Sequence, residues 1–346
     1  MKSEFIHGVN YPWSTDGQTV FYGLDFGTNV WGSHLGVTTR RDAIARDFAE
    51  MAALGFVVAR WFVFCDGRAG IVYDDRSLPA GLDEQFFNDV DAALEVARAA
   101  QMQVVFVLFD HHWLFRGIHH AMPDPITGDM LDARLPNGHA RELLSQEGHD
   151  ALFAHVITPF VRRYGDDGVR ADLKECIFAF EFMNEPDFVI DEWERDRSPR
   201  VRRAVPFAAF AVALARFSEL VHAFTPALVT LGAARADNLW AWDDDALGLD
   251  VVQLHAYPDS LHPGDVDPFV TPASELNVSR QLILGEFRSA APLDESIEQA
   301  LVGGYAGAWP WSFSGTDSYG RLPVDAIRRF AERHPGLVNP RFRLRD

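Results

Sequence analysis

The strongest constraint on the fold is an alternation of eight short apolar runs with amphipathic segments along the 346 residues. The runs are rich in β-branched and aromatic residues, which is typical of buried strands, and the segments between them have helical periodicity. The predicted strands lie at 5–11, 57–64, 104–110, 177–184, 228–233, 250–257, 282–287 and 306–313. The predicted helices lie at 40–54, 83–100, 149–164, 203–223, 294–303 and 323–333, with a short or irregular one around 234–249. Strands that alternate with helices in this way form parallel sheets.

Eight strand–helix units in a chain of this length most economically close into a (β/α)8 TIM barrel. We therefore predict an α/β fold in which residues 1–346 form a single barrel domain. An open, doubly wound sheet is the alternative, but no G-x-G-x-x-G turn follows the first predicted strand. The longest inserts, at 11–38, 65–82, 111–148 and 185–202, all follow predicted strands. In a barrel, such loops build the C-terminal face, where active sites lie. Thr39 near the start and Gly55 after the end of the helix predicted at 40–54 match the capping preferences of helices.

Charge and composition limit the partners of the chain. A net charge of -19 disfavours binding to nucleic acid or to an anionic membrane and suits a neutral substrate. We find no apolar run of the roughly 18 residues needed to span a bilayer. Cys65 and Cys176 lie in apolar runs and are predicted to be buried free thiols, which favours a reducing compartment. The first residues contain no apolar signal region, so we expect a cytoplasmic protein, or a secreted one whose signal was removed. The sequence does not indicate the oligomeric state.

Six predicted strands carry candidate site residues, at their C-terminal ends or, for Arg60, near the middle of the strand. These residues are Arg60, the "DHH" at 110–112, the "NEP" at 184–186, His255 with Tyr257, Glu286, and Trp309 with Trp311. In a closed barrel these side chains converge on one pocket, and Glu185 and Glu286 then face each other. Glu181, four residues before Glu185, is predicted to lie deeper, in a polar layer whose other members the sequence does not identify.

Two carboxyl groups in one cleft are the requirement for hydrolysis of a glycosidic bond. One must be protonated to assist the leaving oxygen, and the other must be ionised to attack the anomeric carbon. We expect Arg60 to lower the pKa of Glu286 and Tyr257 to donate a hydrogen bond to it. Asn184 is a candidate to bind a sugar 2-hydroxyl group, and Trp311 is a candidate for the floor beneath the sugar.

The long inserts carry many aromatic residues, which can stack on the faces of pyranose rings. These are Trp13, Phe21, Tyr22, Phe26, Trp31, Trp113, Phe115 and Trp193. For any one of them, packing within a small core of its own loop is the alternative. We predict that Trp31 and Trp113 bind the substrate.

At these residues the sequence resembles the glycoside hydrolases of clan A, and most closely glycoside hydrolase family 5, the cellulase and mannanase family. The "NEP" at 184–186 matches the motif that carries the acid/base of the family, and the "LGEF" at 284–287 matches the motif of its nucleophile. The remaining active-site types of the family match Arg60, His111 or His112, His255 with Tyr257, and Trp311. The resemblance implies a retaining mechanism, with Glu185 as acid/base and Glu286 as nucleophile.

The stretch "DHHWLFRGIHH" also invites a reading as a metal site, with Asp110, His111, His112, His119 and His120 as ligands. Adjacent histidines on a strand point to opposite sides, however, so we predict no metal and no cofactor. We expect one of His111 and His112 to face the site and favour His111, because the strand-three histidine of the family that the sequence resembles follows closely on the strand.

The substrate is predicted to be a β-glucoside, β-mannoside or β-galactoside of short oligosaccharides. The alternatives are an endo-acting β-glucanase or β-mannanase, a transglycosylase, and a barrel that binds carbohydrate without cleaving it.

Overall fold

Eight parallel strands form a closed barrel in the computed structural model. The structure describes residues 5–14, 23–114, 139–193, 205–257, 266–290, 292–315, 321–335 and 337. The strands are β1 (Ile6–Asn10), β2 (Val58–Cys65), β3 (Ile71–Tyr73), β4 (Pro79–Leu82), β5 (Gln103–Asp110), β6 (Ile177–Asn184), β7 (Leu228–Ala233), β8 (Val251–Ala256), β9 (Gln281–Arg288) and β10 (Gly307–Trp311). The barrel order is β1-β10-β9-β8-β7-β6-β5-β2, and β3 pairs with β4 in a separate antiparallel hairpin. All eight predicted strands are confirmed. The hairpin, within an insert at 65–82, was not predicted.

The helices surround the barrel in the order that the periodicity predicts. They are α1 (Arg41–Ala53), α2 (Phe86–Ala99), α3 (Arg141–Leu144), α4 (Gln146–Leu152), α5 (Thr158–Arg163), α6 (Phe207–Phe224), α7 (Leu239–Trp242), α8 (Leu293–Val302) and α9 (Val324–Arg333). A π-helical turn at Phe153–Ile157 joins α4 to α5, so the helix predicted at 149–164 exists with an internal irregularity. Gly55 follows α1 with a φ of 86°, as predicted. The prediction for Thr39 is wrong, because its hydroxyl donates to the carbonyl of Gly36 at 2.8 Å and no side chain caps α1.

The interior of the barrel is layered. At the N-terminal end lies a purely apolar cluster, in which Trp309 of β10 packs among residues such as Ile6 and Ile283. Gly8 makes room for this indole, because a Cβ on Gly8 would come within 2.5 Å of it. Every second residue of β2 and β8 points inward, so the layers above receive Arg60 and Gln253. The polar layer predicted around Glu181 therefore exists, and it supports the carboxyl groups at the C-terminal mouth.

Helix α6 qualifies the prediction about membranes. Among the described residues it is the one helix long and apolar enough to cross a membrane, with a mean hydropathy of 1.4 over 18 residues. The statement that no run reaches this length is therefore wrong by that criterion. The helix packs Phe210, Leu214 and Phe217 into the protein core, and Arg216 on its other side contacts Asp150 at 3.0 Å. This is the arrangement of an outer helix of a barrel.

Both cysteines are confirmed as buried free thiols.

Another buried polar side chain, the imidazole of His7 on β1, lies in apolar surroundings. Its ring stacks on Phe56 with centroids 4.4 Å apart and lies 5.2 Å from the ring of Phe330 on α9. Neither ring nitrogen has a hydrogen-bond partner. Burial therefore lowers the pKa of His7 to about 3, because a charged ring would lose its hydration without gaining a partner.

We predict that His7→Leu makes the protein more resistant to acid. A depressed pKa in the folded state means that stability is present above the unfolded pKa, near 6.5, and is lost as the pH falls towards 3. On going from pH 7 to pH 4.5, the unsubstituted protein should therefore lose about 2 kcal/mol more of its free energy of unfolding than the variant does. Urea unfolding at the two pH values measures this difference. His155→Leu, at an exposed position, is the control and should show no such difference; an equal difference for both variants would contradict the account.

Candidate active site

Glu185 stands where the chain leaves β6. Its backbone is left-handed, with a φ of 49°, and its N–H donates to the carbonyl of Gly232 on β7 at 2.9 Å. A left-handed conformation costs a residue other than glycine about 1–3 kcal/mol and is concentrated at functional sites. Here the turn aims the carboxyl group of Glu185 at the mouth of the barrel, where 15% of its side chain is exposed.

Glu286 reaches the same space from β9 and is held on both of its oxygens. Arg60 Nη1 donates to Oε1 at 2.5 Å, and the hydroxyl of Tyr257 donates to Oε2 at 2.8 Å. Both contacts were predicted from the sequence, and both are confirmed. Two charged or polar donors on opposite oxygens fix the orientation of the carboxylate and stabilise its ionised form.

The two carboxyl groups form a close pair. An oxygen of Glu185, an oxygen of Glu286 and a ring nitrogen of His255 all lie within 4.8 Å of one another. The Nδ1 atom of His255 is 3.1 Å from Glu185 Oε1 and 3.5 Å from Glu286 Oε1. Retaining glycosidases separate their carboxyl groups by about 5–5.5 Å, whereas inverting enzymes leave roughly 6.5–9.5 Å for a water molecule. A separation below 4.8 Å between these two oxygens is close to the spacing of retaining enzymes and shorter than the spacing of inverting ones.

The pKa values of the pair follow from burial and from their neighbours. Burial, followed by the charges of Asp110 and Asp187, raises the pKa of Glu185 to about 8. Burial also raises the pKa of Glu286, while His255 and Arg60 act in the opposite direction. Arg60 acts to lower the pKa of Glu286, as predicted, but desolvation outweighs the cation and the net shift is upward. The hydrogen bonds from Arg60 and Tyr257 favour the ionised form of Glu286, whereas Glu185, with its pKa raised to about 8, keeps its proton at neutral pH.

Asn184 lies beneath this pair and is engaged on both sides. Its Oδ1 accepts from Arg60 Nη2 at 2.7 Å, and its Nδ2 donates to Asp110 Oδ2 at 2.8 Å. An amide nitrogen has two hydrogens, so one remains for a ligand. The predicted contact with a sugar hydroxyl stays a prediction, with this one hydrogen as its donor.

His111 and His112 lie on the same side, contrary to the prediction that they diverge. Their ring centroids are 4.2 Å apart, because they belong to a 3-10 turn (His111–Leu114) that begins where β5 ends, and not to the strand itself. His112 Nδ1 bonds to Asp110 Oδ1, and His111 Nδ1 lies 3.5 Å from Asp110 Oδ2 and 3.8 Å from Glu185 Oε2. His111 is thus the one beside the carboxyl pair, while His112 is bound through Asp110.

These contacts bear on the metal question. Asp110, His111 and His112 offer three ligand atoms within 4.8 Å of one another, as do Glu185, His255 and Glu286. In the first group the carboxylate already accepts from Asn184 and His112. Burial alone would lower the pKa of His112, but Asp110 outweighs it and raises that pKa, which favours an ion pair over a metal ligand. That no metal binds here stays a prediction.

The ring of His255 is neutral and closely packed. Burial lowers its pKa to about 4. It lies against the backbone of Gly232, where an added Cβ would come within 2.6 Å of the imidazole. A neutral imidazole between two carboxyl groups can donate one hydrogen bond without adding a full charge. His255 therefore supports the pair without suppressing the pKa of Glu185.

The predicted aromatic contacts divide into two groups. Trp311 packs in a cluster with Trp13 and Phe62, and Trp31 and Tyr257 pack against that cluster. Through Tyr257 this cluster adjoins Glu286, and the substrate contacts predicted for Trp311 and Trp31 stay predictions.

The prediction for Trp113 is wrong. The 3-10 turn directs its ring into the core, where it is 1% exposed and stacks on Phe109 with centroids 4.1 Å apart. Trp193, in the same way, packs its ring against Trp242 at 4.9 Å. Among the loop residues, Phe21, Tyr22, Phe115, His119 and His120 lie outside the described residues.

Sequence reasoning missed the partners of two supporting side chains. Glu181 accepts two hydrogen bonds from Arg60 inside the barrel. Asp187 accepts from the backbone N–H of Ala234 at 2.9 Å and from Asn238 Nδ2 at 2.7 Å, which ties the loop after β7 to the loop that carries Glu185. The "NEPD" stretch contains Asp187, but its partners are about 50 residues away in sequence. No local signal identifies such a pair.

Arg60 contacts four side chains at the site, and its own side chain is completely buried. Its five N–H donors all have acceptors: Glu181 Oε2 at 2.7 Å, Glu181 Oε1 at 2.6 Å, Asn184 Oδ1 at 2.7 Å, Asn10 Oδ1 at 3.0 Å and Glu286 Oε1 at 2.5 Å. Burial alone would lower the pKa of Arg60, but Glu181 and Glu286 reverse this and raise the pKa above its ordinary value. The guanidinium is therefore fixed in both position and charge.

Known proteins resemble this chain along most of its length. No family model matches it. A mannan endo-1,4-beta-mannosidase from Mytilus edulis is 20% identical over an alignment of 342 residues. The match covers 89% of this chain and 83% of that protein. The endo-1,4-beta-mannanase of Eisenia fetida superposes with a TM-score of 0.68 at 20% identity, covering 94% of this chain and 90% of that one. A glycoside hydrolase family 5 mannosidase from Rhizomucor miehei superposes with a TM-score of 0.55 at 14% identity, covering 96% and 94%. The fold of this chain is that of the mannanases. The predicted barrel is thereby confirmed, and one of the proteins that share it is a member of the family that the sequence resembles.

We predict that Arg60→Leu destabilises the protein and that a second substitution partly reverses the effect. The single variant leaves Glu181 and Glu286 buried without their cation, which should lower the free energy of unfolding by about 3–5 kcal/mol. Adding Glu181→Leu removes one of the two stranded charges and should recover part of that loss. Urea unfolding followed by tryptophan fluorescence measures both effects.

The control is Arg41→Leu, because Arg41 is half-exposed and its ion pair with Glu95 lies at the surface. It should change the free energy of unfolding by less than about 1 kcal/mol. An Arg60→Leu variant as stable as this control would show that the buried network does not hold the barrel mouth together.

Proposed function

We propose that this protein is a retaining β-mannan hydrolase, with Glu286 as the nucleophile and Glu185 as the acid/base. The observation that carries the proposal is the close carboxyl pair, in which Arg60 and Tyr257 bind one member while the other has a pKa raised to about 8. A pair with this spacing and one retained proton suits double displacement at an anomeric carbon. The mannanases that share the fold support mannan as the substrate class.

In the first step, an oxygen of Glu286 attacks the anomeric carbon while Glu185 gives its proton to the departing glycosidic oxygen. A glycosyl ester on Glu286 results, and Glu185 is left as a carboxylate. In the second step Glu185 takes a proton from water, which attacks the anomeric carbon and releases Glu286. Two inversions return the original β configuration.

The neighbours of the pair have separate tasks in this scheme. Tyr257 and Arg60 hold the carboxylate of Glu286 before attack and receive it again after release. His255, neutral, bridges the two groups. Trp311 and Trp31 offer an aromatic wall for the sugar, and Asn184 offers its free amide hydrogen. Carbohydrate is thus the partner that the site suits, and no step needs a cofactor.

The test is hydrolysis of a panel of hexasaccharides, namely β-1,4-linked mannose, glucose and xylose, together with polymeric mannan. We expect mannohexaose to be cleaved at least about 100-fold faster than the glucose and xylose hexasaccharides, since a sugar site that hydrogen-bonds its substrate discriminates by several kcal/mol. Products spread over several lengths indicate endo action, whereas mannose alone indicates an exo-acting enzyme on short oligosaccharides. Proton NMR of the first product should show the β anomer.

The pH dependence follows from the acid. Glu185 can protonate the leaving oxygen only below its pKa, so kcat/KM should fall as the pH rises through about 8. Glu286→Gln, which keeps the size of the side chain but cannot act as a nucleophile, is the inactive control. Equal cleavage of the gluco- and manno-oligosaccharides, or no cleavage of either, would overturn the proposed function.

A further inference from the structure

We propose that Glu181 is a positioning residue for Glu286: it fixes the guanidinium of Arg60 from the barrel interior and offsets part of its charge. The roles of the two carboxyl groups on which this inference builds are those of the proposed function. Glu181 itself lies on β6 beneath the site and is fully buried, and in the described part of the chain its carboxylate accepts hydrogen bonds from Arg60 and Gln253.

The geometry of Arg60 gives Glu181 its positioning role. Glu181 takes the Nε and one Nη2 hydrogen in a two-pronged contact, at 2.7 and 2.6 Å. A planar guanidinium bound along one edge has no rotational freedom left. Its Nη1 hydrogen is thereby directed at Glu286 Oε1, 2.5 Å away. The position of the attacking oxygen is therefore set through Arg60 by a residue that does not reach the substrate.

Glu181 is in turn held by its own neighbours. Gln253 Nε2 donates to Glu181 Oε2 at 2.8 Å and to Thr230 Oγ1 at 3.2 Å. Gly232 permits the close approach, since a Cβ there would come 2.8 Å from Glu181 Oε1. Donors on β2 and β8 thus fix this carboxylate before any ligand binds.

The charge of Glu181 matters because Glu181, Arg60 and Glu286 are all buried. Glu286 faces Arg60, Tyr257 and the neutral His255, together with the carboxyl group of Glu185. Without Glu181, the cation would act on Glu286 alone and lower its basicity, and a less basic carboxylate is a weaker nucleophile. With Glu181 present, Arg60 orients Glu286 while its charge is shared between two anions.

A merely structural ion pair would predict a different result from substitution. Losing such a pair lowers stability and the amount of active enzyme but leaves the titration of the remaining enzyme unchanged. A positioning and charge-offsetting role instead moves the titration of Glu286. The two are therefore separated by pH dependence, and not by the loss of activity alone.

The experiment compares Glu181→Gln with the matched control Gln253→Met, which removes a hydrogen bond to Glu181 but no charge. The carboxyl pKa of Glu286 is measured by carbon-13 NMR in protein labelled at the glutamate Cδ, with Glu286→Gln to assign the signal. In Glu181→Gln we expect this pKa to fall by about one unit or more, as for the loss of one charge at short range in a protein interior. The acidic limb of kcat/KM on an activated aryl β-mannoside should move down with it, and kcat should fall about 10-fold. Gln253→Met should leave the titration of Glu286 unchanged.

An unchanged pKa of Glu286 in Glu181→Gln would overturn the inference. If that variant does not fold, Glu181→Asp replaces it: the charge remains but the shorter side chain loses the two-pronged contact. Its Glu286 should titrate as in the unsubstituted protein while kcat falls, and a normal kcat would refute the positioning role. The NMR titration needs no substrate, so a protein inactive on every mannoside would defeat the proposed function without deciding the role of Glu181.

Discussion

A buried guanidinium must find an acceptor for each of its N–H groups, and the site of this protein is organised by that requirement. Arg60 is enclosed within the barrel, where an unmatched charge would cost several kcal/mol. Its five donors are matched by Glu181, Asn184, Asn10 and Glu286, which come from three different strands. The closure of the barrel brings these strands together, and the ion network in turn fixes the side chains at its mouth. Fold and chemistry therefore depend on the same contacts.

The network also decides where the proton of the carboxyl pair resides. Two carboxyl groups this close do not both ionise easily, because each charge raises the pKa of the other. Glu286 receives hydrogen bonds from Arg60 and Tyr257, whereas Glu185 faces Asp110 and Asp187, which raise its pKa. The asymmetry comes from the surroundings, since the two side chains are chemically identical. In the proposed function, this asymmetry makes one of them the nucleophile and the other the proton donor.

Much of this arrangement is predictable from the sequence, and the reasons for the failures are local. Strand positions follow from apolar runs, and the order of polar residues at strand ends locates Glu185, Glu286, Arg60 and Tyr257. Failures arise where the chain leaves a strand. The 3-10 turn after β5 brings His111 and His112 together and sends Trp113 into the core. Strand alternation cannot predict that rotation.

Two further features were beyond the reach of sequence patterns. The partner of Glu181 was unknown because Arg60 lies 121 residues away, on a strand that is not a neighbour of β6 in the barrel. The net sign of the shift in the pKa of Glu286 depends on how completely the carboxyl group is desolvated, and a list of neighbouring charges does not contain that information. Both features depend on the three-dimensional arrangement of the residues.

The central claim is that Glu286 attacks and Glu185 transfers the proton, and chemical rescue by azide tests it most directly. In Glu185→Ala, an activated aryl β-mannoside should still form the covalent intermediate, and azide should then release it as the β-mannosyl azide. In Glu286→Ala, azide should attack the substrate itself and give the α-mannosyl azide. Polarimetry or proton NMR of the two products distinguishes them. The reversed pattern would show that the two roles are exchanged, and no azide product from either variant would contradict a covalent mechanism at this pair.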